Sequence, residues 1–502
     1  MYDYIIIGAG PTGLTLAYEL GTRGKTCLVL ERQAVIGGCH RVLRSDGLFT
    51  EHAPRVYLSS YVNTIDVLNR MGIDFFELFT PYKFGAFLFL SMFFSALSWY
   101  ELLCLVWIFI LFLFDSNYGK DRSVLQFMRD YGFSDASQDF VDRFCRVSDG
   151  AGSGRFTVWE FLQLFNQSTL YSLYQPRKPN DVALFPAMKR AIDATHNVTF
   201  QMNATVQSIT MDSPTHVSGV VVNGTTYTAS NVIMAVPPIN VATLCASNAN
   251  LVNAFGPGLS DWARATNYNN DIAVVFHWDK KLHLDSKFGF PYSDWGLISI
   301  VMSDYMDFDD ARSKTVISTC ITYLDRPNDN GVRANDVTDP SVLIDYVFQQ
   351  LCEMYPMLPP PTAKILSPTV SRQNGAWVDA DSAYFDAVNT TPIDAQSAIV
   401  PNLFQVGIQN GHGSMHATTF EAAVSNALHF LNASASLDLP IRDIVELRTV
   451  VWIVILVGIV IGIAMAIYLW YNKHLVLNML GMGQTVVEDN TEPVPFDPAI
   501  FE

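Results

Sequence analysis

Charge is scarce in this chain and basic charge scarcer: 16% of the 502 residues are Asp, Glu, Lys or Arg, and the formal net charge is −17. A protein without a basic field has little with which to capture a phosphate backbone, so no nucleic acid partner is expected. The seven cysteines (Cys27, Cys39, Cys104, Cys145, Cys245, Cys320 and Cys352) are scattered, with no Cys-x-x-Cys pair and no Cys/His cluster. That argues against zinc and for a reducing compartment, and no metal site is expected. Also missing is a secretory leader: MYDYIIIGAG has no positive stretch, short apolar core and cleavage site, and reads as fold from residue 2 onward. No internal repeat is visible. Apolar residues, by contrast, make up half the chain, a proportion that points to membrane contact.

The N-terminus carries the strongest motif. YDYIII (2–7) reads as a strand ending at Gly8, TCLVL (26–30) as a second strand ending at Glu31, and the stretch between as a helix with Leu14, Ala17, Tyr18 and Leu20 on one side. Gly8-Ala-Gly10-Pro11-Thr12-Gly13 closes the first strand and opens the helix, which places backbone N–H groups and a positive helix end where a pyrophosphate would sit. Gly8 permits the tight turn, Gly10 lets phosphates approach, and Gly13 lets helix pack on strand. Glu31 is placed to accept hydrogen bonds from a ribose diol and to repel a 2′-phosphate. Arg32 and the second glycine turn, Gly37-Gly38, suit a longer cofactor lying across the domain, so FAD is favoured over NAD. The expected fold class is α/β: a Rossmann-like FAD-binding domain with a second, α+β substrate domain and membrane-inserted helices.

Farther along, 198–200, 206–211, 217–222, 226–229 and 232–235 read as short strands of a meander, with turns at Ser213-Pro214 and Asn223-Gly224. Strand-like runs at 272–277, 297–301 and 316–323, with a helix-like segment at 341–354, suffice for a second domain that PMLPPP (356–361) closes. The acidic tail beyond residue 485, with Pro493, Pro495 and Pro498, reads as disordered.

Three blocks resemble the flavoprotein superfamily of amine oxidases, protoporphyrinogen oxidases, phytoene desaturases and, more distantly, UDP-galactopyranose mutases. They are IIIGAGPTGLTLAYEL through ERQAVIGG (5–38), VTFQMNATVQSI through VIMAVPP (198–238) and NLFQVGIQNGHGSMHATTFEAAVSNAL (402–428). The resemblance implies an FAD domain assembled from 1–80, 186–240 and 371–432, a substrate-side helical region at 115–185 and a substrate domain at 241–370. It further implies that Val206 faces the adenine, and that Gly407, Thr419 and Phe420 contact the ribityl chain and flavin. The loop Gly47–Tyr57, with APRVY, is similar to the one that crosses the flavin in these families. Pro54 and Arg55 are the contacts it implies, and Arg55 is a candidate to stabilise charge on reduced flavin. His416, with His412, lies beside the flavin-embracing turn and is a candidate proton carrier. Trp377 and Tyr384 are candidates to wall a substrate cavity.

Departures sharpen the expectation. Gly37-Gly38 is followed by Cys39 where the family often has arginine, so Arg41 is the substitute phosphate contact. Thr419 and a residue near Ala273 stand where amine oxidases place an aromatic residue and a lysine, which counts against an ordinary amine oxidase. Residues 353–502 contain no cysteine, so the FAD is expected to be noncovalent.

Val450 to Tyr471 is free of charge and long enough to cross a hydrocarbon core of about 30 Å; the predicted transmembrane helix spans 449–471, and 472–502 is the tail. Arg442 and Arg448 before it and Lys473 after it place the catalytic part on the cytosolic side of a membrane. Six sequons (Asn166, Asn197, Asn203, Asn223, Asn389 and Asn432) would mark a lumenal domain if used. Gly458, Gly462 and Ala466 have the small-xxx-small spacing of a homodimer seam. A second apolar run, 84–114, has one charge, Glu101. It cannot cross once without parting the first FAD block from the others, so a membrane-inserted hairpin broken near Ser95–Ser98 is expected, with membrane lipids as partners. The function expected is FAD-dependent oxidation of a lipophilic small-molecule substrate by hydride transfer. The alternatives are a tethered amine oxidase and a non-catalytic FAD-binding membrane scaffold.

Overall fold

A computed structural model describes residues 1–480 except 83–85, 151, 257, 269, 285–291, 381–384, 387–391, 414, 416–417, 474–476 and 478. It divides into one large unit, Met1–Leu447, and a second beginning at Arg448. In chain order the main elements of the large unit begin with β1 (Tyr2–Ile7), α1 (Pro11–Gly21), β2 (Cys27–Leu30) and α2 (Val62–Arg70). A helical region follows, with α3 (Ala86–Ala96), α4 (Trp99–Phe114), α5 (Asp135–Asp149) and α6 (Val158–Ser168). Then come β3 (Val198–Gln201), β4 (Val206–Ser213), β5 (His216–Val222) and β6 (Thr225–Met234), followed by β7 (Ile272–Trp278), β8 (Ile298–Val301), β9 (Thr315–Ile321) and α7 (Pro340–Met354). The chain ends its globular part with β10 (Ala363–Leu366), β11 (Ala376–Asp379), β12 (Leu403–Gln405) and α8 (Phe420–Ser434).

The apolar N-terminal run forms a strand buried at its far end, because parallel partners cover both its edges and helices its face. The large sheet has the order β3-β2-β1-β6-β5-β4, with β12 on the free half of β6. Ile5 stands between Leu28 and Val232, and the β1 pairings to β2 and β6 are parallel. Residues far apart in sequence thus meet at the carboxyl end of β1. The runs 226–229 and 232–235, expected as two strands, fall in one ten-residue strand, β6, that ends at Met234. Its first half pairs with β5 and its second half with β1 and β12. No glycine or proline divides it. Asn402 braces the changeover, accepting from the Val217 N–H (3.0 Å) and donating to the carbonyls of Val217 and Ser230.

The second sheet, β8-β9-β7-β10, is antiparallel, and every residue of β7 and β9 is buried. Burial on both faces explains why β7 reads as a nearly continuous apolar run, and the buried Thr319 of β9 is satisfied by donating to the Val274 carbonyl (2.7 Å). Leu343, Val347 and Leu351 of α7 share a core with Phe276 and Trp278.

The long apolar run breaks into α3 and α4 at Ser98. Glu101 completes a capping box there, accepting from the Ser98 N–H (2.6 Å). Its other oxygen accepts from the Ser134 N–H, and the Ser137 hydroxyl adds a third donor. The lone charge of the segment therefore stops one helix, starts the next and pins it to α5. Cys104, Ile108 and Phe112 are buried against the aromatic cluster of α5 and α6. Trp99, Leu103, Val106, Trp107, Ile110 and Phe114 are exposed, an apolar stripe larger than a soluble monomer commonly shows.

After α8 the chain crosses α2 and is clamped at Arg442. Arg442 N–H donates to Asn63 Oδ1 (2.8 Å), its carbonyl accepts from Asn63 Nδ2 (2.9 Å), and its guanidinium grips Asp66. One residue of the second unit's main helix, α9 (Leu447–Tyr471), still belongs to the large unit. It is the one described helix long and apolar enough to span a bilayer, and none of its residues is buried. At 1.5 Å per residue it is about 37 Å long.

Candidate active site

The first βα turn is built as a cradle. Gly8 has φ of 103°, and a Cβ there would lie 2.5 Å from the Ala235 carbonyl oxygen, so the turn admits glycine alone. α1 starts at Pro11, and its N-cap, Gly10, contributes no side-chain cap. The free N–H groups of the first turn are thereby left for a ligand. The second glycine turn folds onto the first: Gly37 N–H donates to the Ala9 carbonyl (2.9 Å), and a Cβ on Gly38 would come within 3.0 Å of Gly10 Cα. Glu31 accepts from the N–H of Ala9 (2.8 Å) and of Gln33 (2.9 Å), which holds its carboxylate at the rim. Arg41 folds back on the Gly38 carbonyl (2.7 Å).

These groups border a cavity of about 370 Å³. Gly8, Gly10, Pro11, Thr12, Glu31, Arg32 and Gly38 line one end with Val206, and Gly407 and Thr419 line the other. Thr419 caps α8, accepting from the Ala422 N–H (3.0 Å), so a second helix N-terminus faces this space. Gly13 and Gly37 stand behind the wall: a Cβ would meet the Gly8 carbonyl at 2.0 Å in one case and the Phe185 ring at 2.4 Å in the other. Their work is packing.

A second cavity, of about 490 Å³, adjoins the first, with His40, Thr418 and Thr419 common to both. Pro54, Arg55 and Phe420 line this one and not the first. Arg55 donates to the Cys39 carbonyl (2.8 Å), tying the loop that carries it to the second glycine turn. His412 lines neither cavity; its ring lies 5.5 Å from that of His429. Trp377 is core, donating to the Val337 carbonyl. His416 and Tyr384 lie outside the described residues.

The walls of the second cavity are largely apolar, with Tyr61, Phe165, Leu170, Ile298, Ile300 and Met415 prominent. Among them sit groups that no sequence motif marked: His40, His52 and Asp271. Burial, then the charge of Arg55, holds His40 well below its ordinary value, so it is neutral. Burial pushes Asp271 up to about 6, opposed by the charges of Arg146 and Arg55. Glu51 rises to about 7 for the same first reason. Because the folded value of Asp271 is raised, the native chain keeps its proton to higher pH than the unfolded chain does. Stability is complete below the ordinary 3.8 and declines as pH rises through about 6. Asp271→Asn removes that penalty and is expected to stabilise the protein by about 1–2 kcal/mol at neutral pH. Thermal melting should show the advantage shrinking toward pH 5; an advantage that grows on acidification would contradict the shift.

A glycine cradle at one helix end, an acid at the tip of the second strand and an adjoining apolar cavity define a dinucleotide-binding oxidoreductase. The chain belongs to the flavin-containing amine oxidoreductase family, whose sequence model matches residues 11–407. No curated protein matches it by sequence. Among solved structures it is similar to an oxidoreductase from Methanosarcina mazei, with a TM-score of 0.60, 16% identity and coverage of 86% of this chain and 99% of that one. It is similar too to a candidate protoporphyrinogen oxidase from Exiguobacterium sp. (0.58, 14%, covering 86% and 99%) and to putrescine oxidase bound to putrescine (0.59, 15%, covering 87% and 99%). At such identities the likeness speaks for the fold. Family membership makes the protein an FAD-dependent oxidoreductase with noncovalent FAD. The cradle fits that group: a Cβ would intrude at Gly38, and two helix N-termini face the space.

Proposed function

We propose that this protein oxidises a lipophilic small molecule drawn from a bilayer. FAD, when bound, supplies the two-electron acceptor. In this reading the pyrophosphate lies at Gly10–Thr12 and Arg41, Glu31 takes the ribose diol, Val206 borders the adenine, and Gly407 and Thr419 border the ribityl chain. Arg55 and Phe420 lie on the substrate side of the flavin, with neutral His40 at the boundary. The substrate occupies the larger cavity, whose apolar walls exclude water.

The observation that carries the reading is the route of the chain past that cavity. Leu170 and Tyr171 belong to its wall, Leu170 is exposed, and the Tyr171 hydroxyl accepts from the Val445 N–H (2.8 Å). The polypeptide therefore leaves this wall two residues before an apolar helix of 25 residues begins. The exposed apolar stripe of α4 offers a lipid contact of its own. The basic residues before α9 favour the cytosolic face. Gly458, Gly462 and Ala466 offer a seam for a homodimer in the membrane.

The test uses the full chain purified in detergent. Its flavin bands should be released on denaturation, and anaerobic titration should bleach them with lipophilic donors and leave them intact with polar amines of similar reactivity. Bleaching by short polyamines alone would favour a tethered amine oxidase. Truncation after Glu446 should give a soluble, yellow protein; one that stays in the membrane pellet would place the anchor elsewhere.

A further inference from the structure

The larger cavity contains a histidine that cofactor binding leaves unused. His52 is 5% exposed, and its Nδ1 lies 2.8 Å from Oδ2 of Asp379, itself 2% exposed at the end of β11. A carboxylate on Nδ1 fixes the tautomer, because it can only accept: Nδ1 carries the hydrogen and Nε2 the lone pair. Nε2 meets no protein partner among the described residues, and His52 lines the cavity. Asp379 is held in turn. Its N–H donates to Asn270 Oδ1 (3.0 Å), and Asn270 Nδ2 donates to the Trp377 carbonyl (2.7 Å), which locks the end of β11 to the start of β7. A base held by an acid whose own backbone is pinned by a neighbouring side chain is a geometry built for proton transfer.

Other charged and titratable groups surround the pair. Asp271 precedes β7, Glu51 and Arg55 flank His52 on its own loop, Arg146 comes from α5, Cys320 from β9, and His40 stands at the boundary of the two cavities. Arg146 is committed to Asp142 (2.9 Å), and Arg55 to the Cys39 carbonyl. His40 Nδ1 lies 3.2 Å from the Tyr57 hydroxyl, a neutral partner, whereas His52 is the cavity histidine oriented by a carboxylate, among the described residues.

We propose that His52, oriented by Asp379, is the general base of the substrate cavity and takes the proton from a nitrogen or oxygen attached to the carbon that is oxidised. The proposal rests on the oxidoreductase reading above and narrows its substrate class to lipophilic amines or alcohols. In a substrate H–C–X–H, with X nitrogen or oxygen, the carbon-bound hydrogen leaves with two electrons for the flavin and the X–H proton goes to Nε2. A C=X double bond forms. The imidazolium, stabilised by Asp379, later yields its proton to water. A desaturation between two carbons has no such X–H proton and no use for this pair.

The base can be tested without the natural substrate. The ring of 5-nitrobenzisoxazole opens when a base removes the proton on its C3; the N–O bond breaks and a coloured 2-cyano-4-nitrophenolate is released. With the FAD-loaded full chain in detergent, opening should exceed that in buffer and detergent alone. His52→Gln should lower the protein-catalysed rate by roughly tenfold or more. Asp379→Asn should lower it by about threefold to tenfold, and Asp379→Glu should recover part of that loss, which a purely structural role would not do. In separate samples, unchanged flavin bands that bleach with dithionite show that each variant is folded and loaded. No opening above the detergent control, a wild-type rate in His52→Gln, or loss in Asp271→Asn with His52→Gln unaffected would overturn the assignment. A colourless protein that still opens the probe through His52 would keep the base and remove the oxidoreductase reading instead.

Discussion

Gly13→Val is expected to yield a protein that purifies without flavin. A Cβ at residue 13 would sit 2.0 Å from the Gly8 carbonyl oxygen, a backbone atom that cannot swing aside. Relief requires α1 to lift from β1, yet every residue of α1 is buried. Lifting the helix displaces the N–H groups of its first turn from the cradle, and it strains the Thr12 hydroxyl contact to the Ala423 carbonyl that joins α1 to α8 (3.3 Å). Over-packing against an unyielding neighbour costs on the order of 3 kcal/mol, which is roughly a hundredfold in FAD affinity. Flavin content per chain, read from absorbance after gel filtration, checks it. A yellow Gly13→Val protein with wild-type flavin content would mean that α1 does not set the cradle.

The second large effect is expected at Glu421. This carboxylate is fully buried in the first turn of α8 and accepts three hydrogen bonds: from the Asn63 N–H (2.9 Å), Asn63 Nδ2 (2.8 Å) and the Thr64 N–H (2.8 Å). Those two backbone groups belong to the start of α2, where the turn lacks a side-chain cap of its own. Glu421 thus caps another helix from a distance of more than 350 residues in sequence. Glu421→Ala leaves three donors unpaired in a dry interface, at a cost of about 3–5 kcal/mol. Thermal release of flavin fluorescence should occur at markedly lower temperature, and Glu421→Gln, which keeps one acceptor oxygen, should fall between. Equal melting of the alanine variant and the wild type would show that water takes over the bonds.

The sequence made local features legible and left distant ones hidden. Gly8 to Glu31 is one continuous βαβ unit whose glycines and acid act on neighbours within thirty residues, so spacing alone exposed the cradle. Gly37 sits in a glycine turn whose spacing points to the cofactor, but the ring it accommodates belongs to Phe185, which nothing in the spacing announces. The continuity of β6 was missed because one strand serves two pairing systems, and its polar middle looks like a break. Glu101 was visible as the sole charge in a long apolar run; its use as a cap required knowing where Ser134 would lie. His52 and Asp379 are 327 residues apart and join only when β11 docks beside β7. A histidine beside an Ala-Pro-Arg loop offers no pattern for such a pairing. Arg55, expected against the cofactor, lines the adjoining cavity, which shares His40, Thr418 and Thr419 with the first.

The clamp at Arg442 has a mechanical consequence. If α9 anchors the chain in a bilayer, as proposed above, any pull on it travels along the polypeptide into whatever that chain is fastened to. Here the chain is gripped five residues before α9 begins, by Asn63 and Asp66 on α2. Because the buried Asn63 that holds Arg442 also donates to Glu421 in the first turn of α8, tension on the chain beyond Arg442 would reach the helix bordering the FAD cavity through a single asparagine.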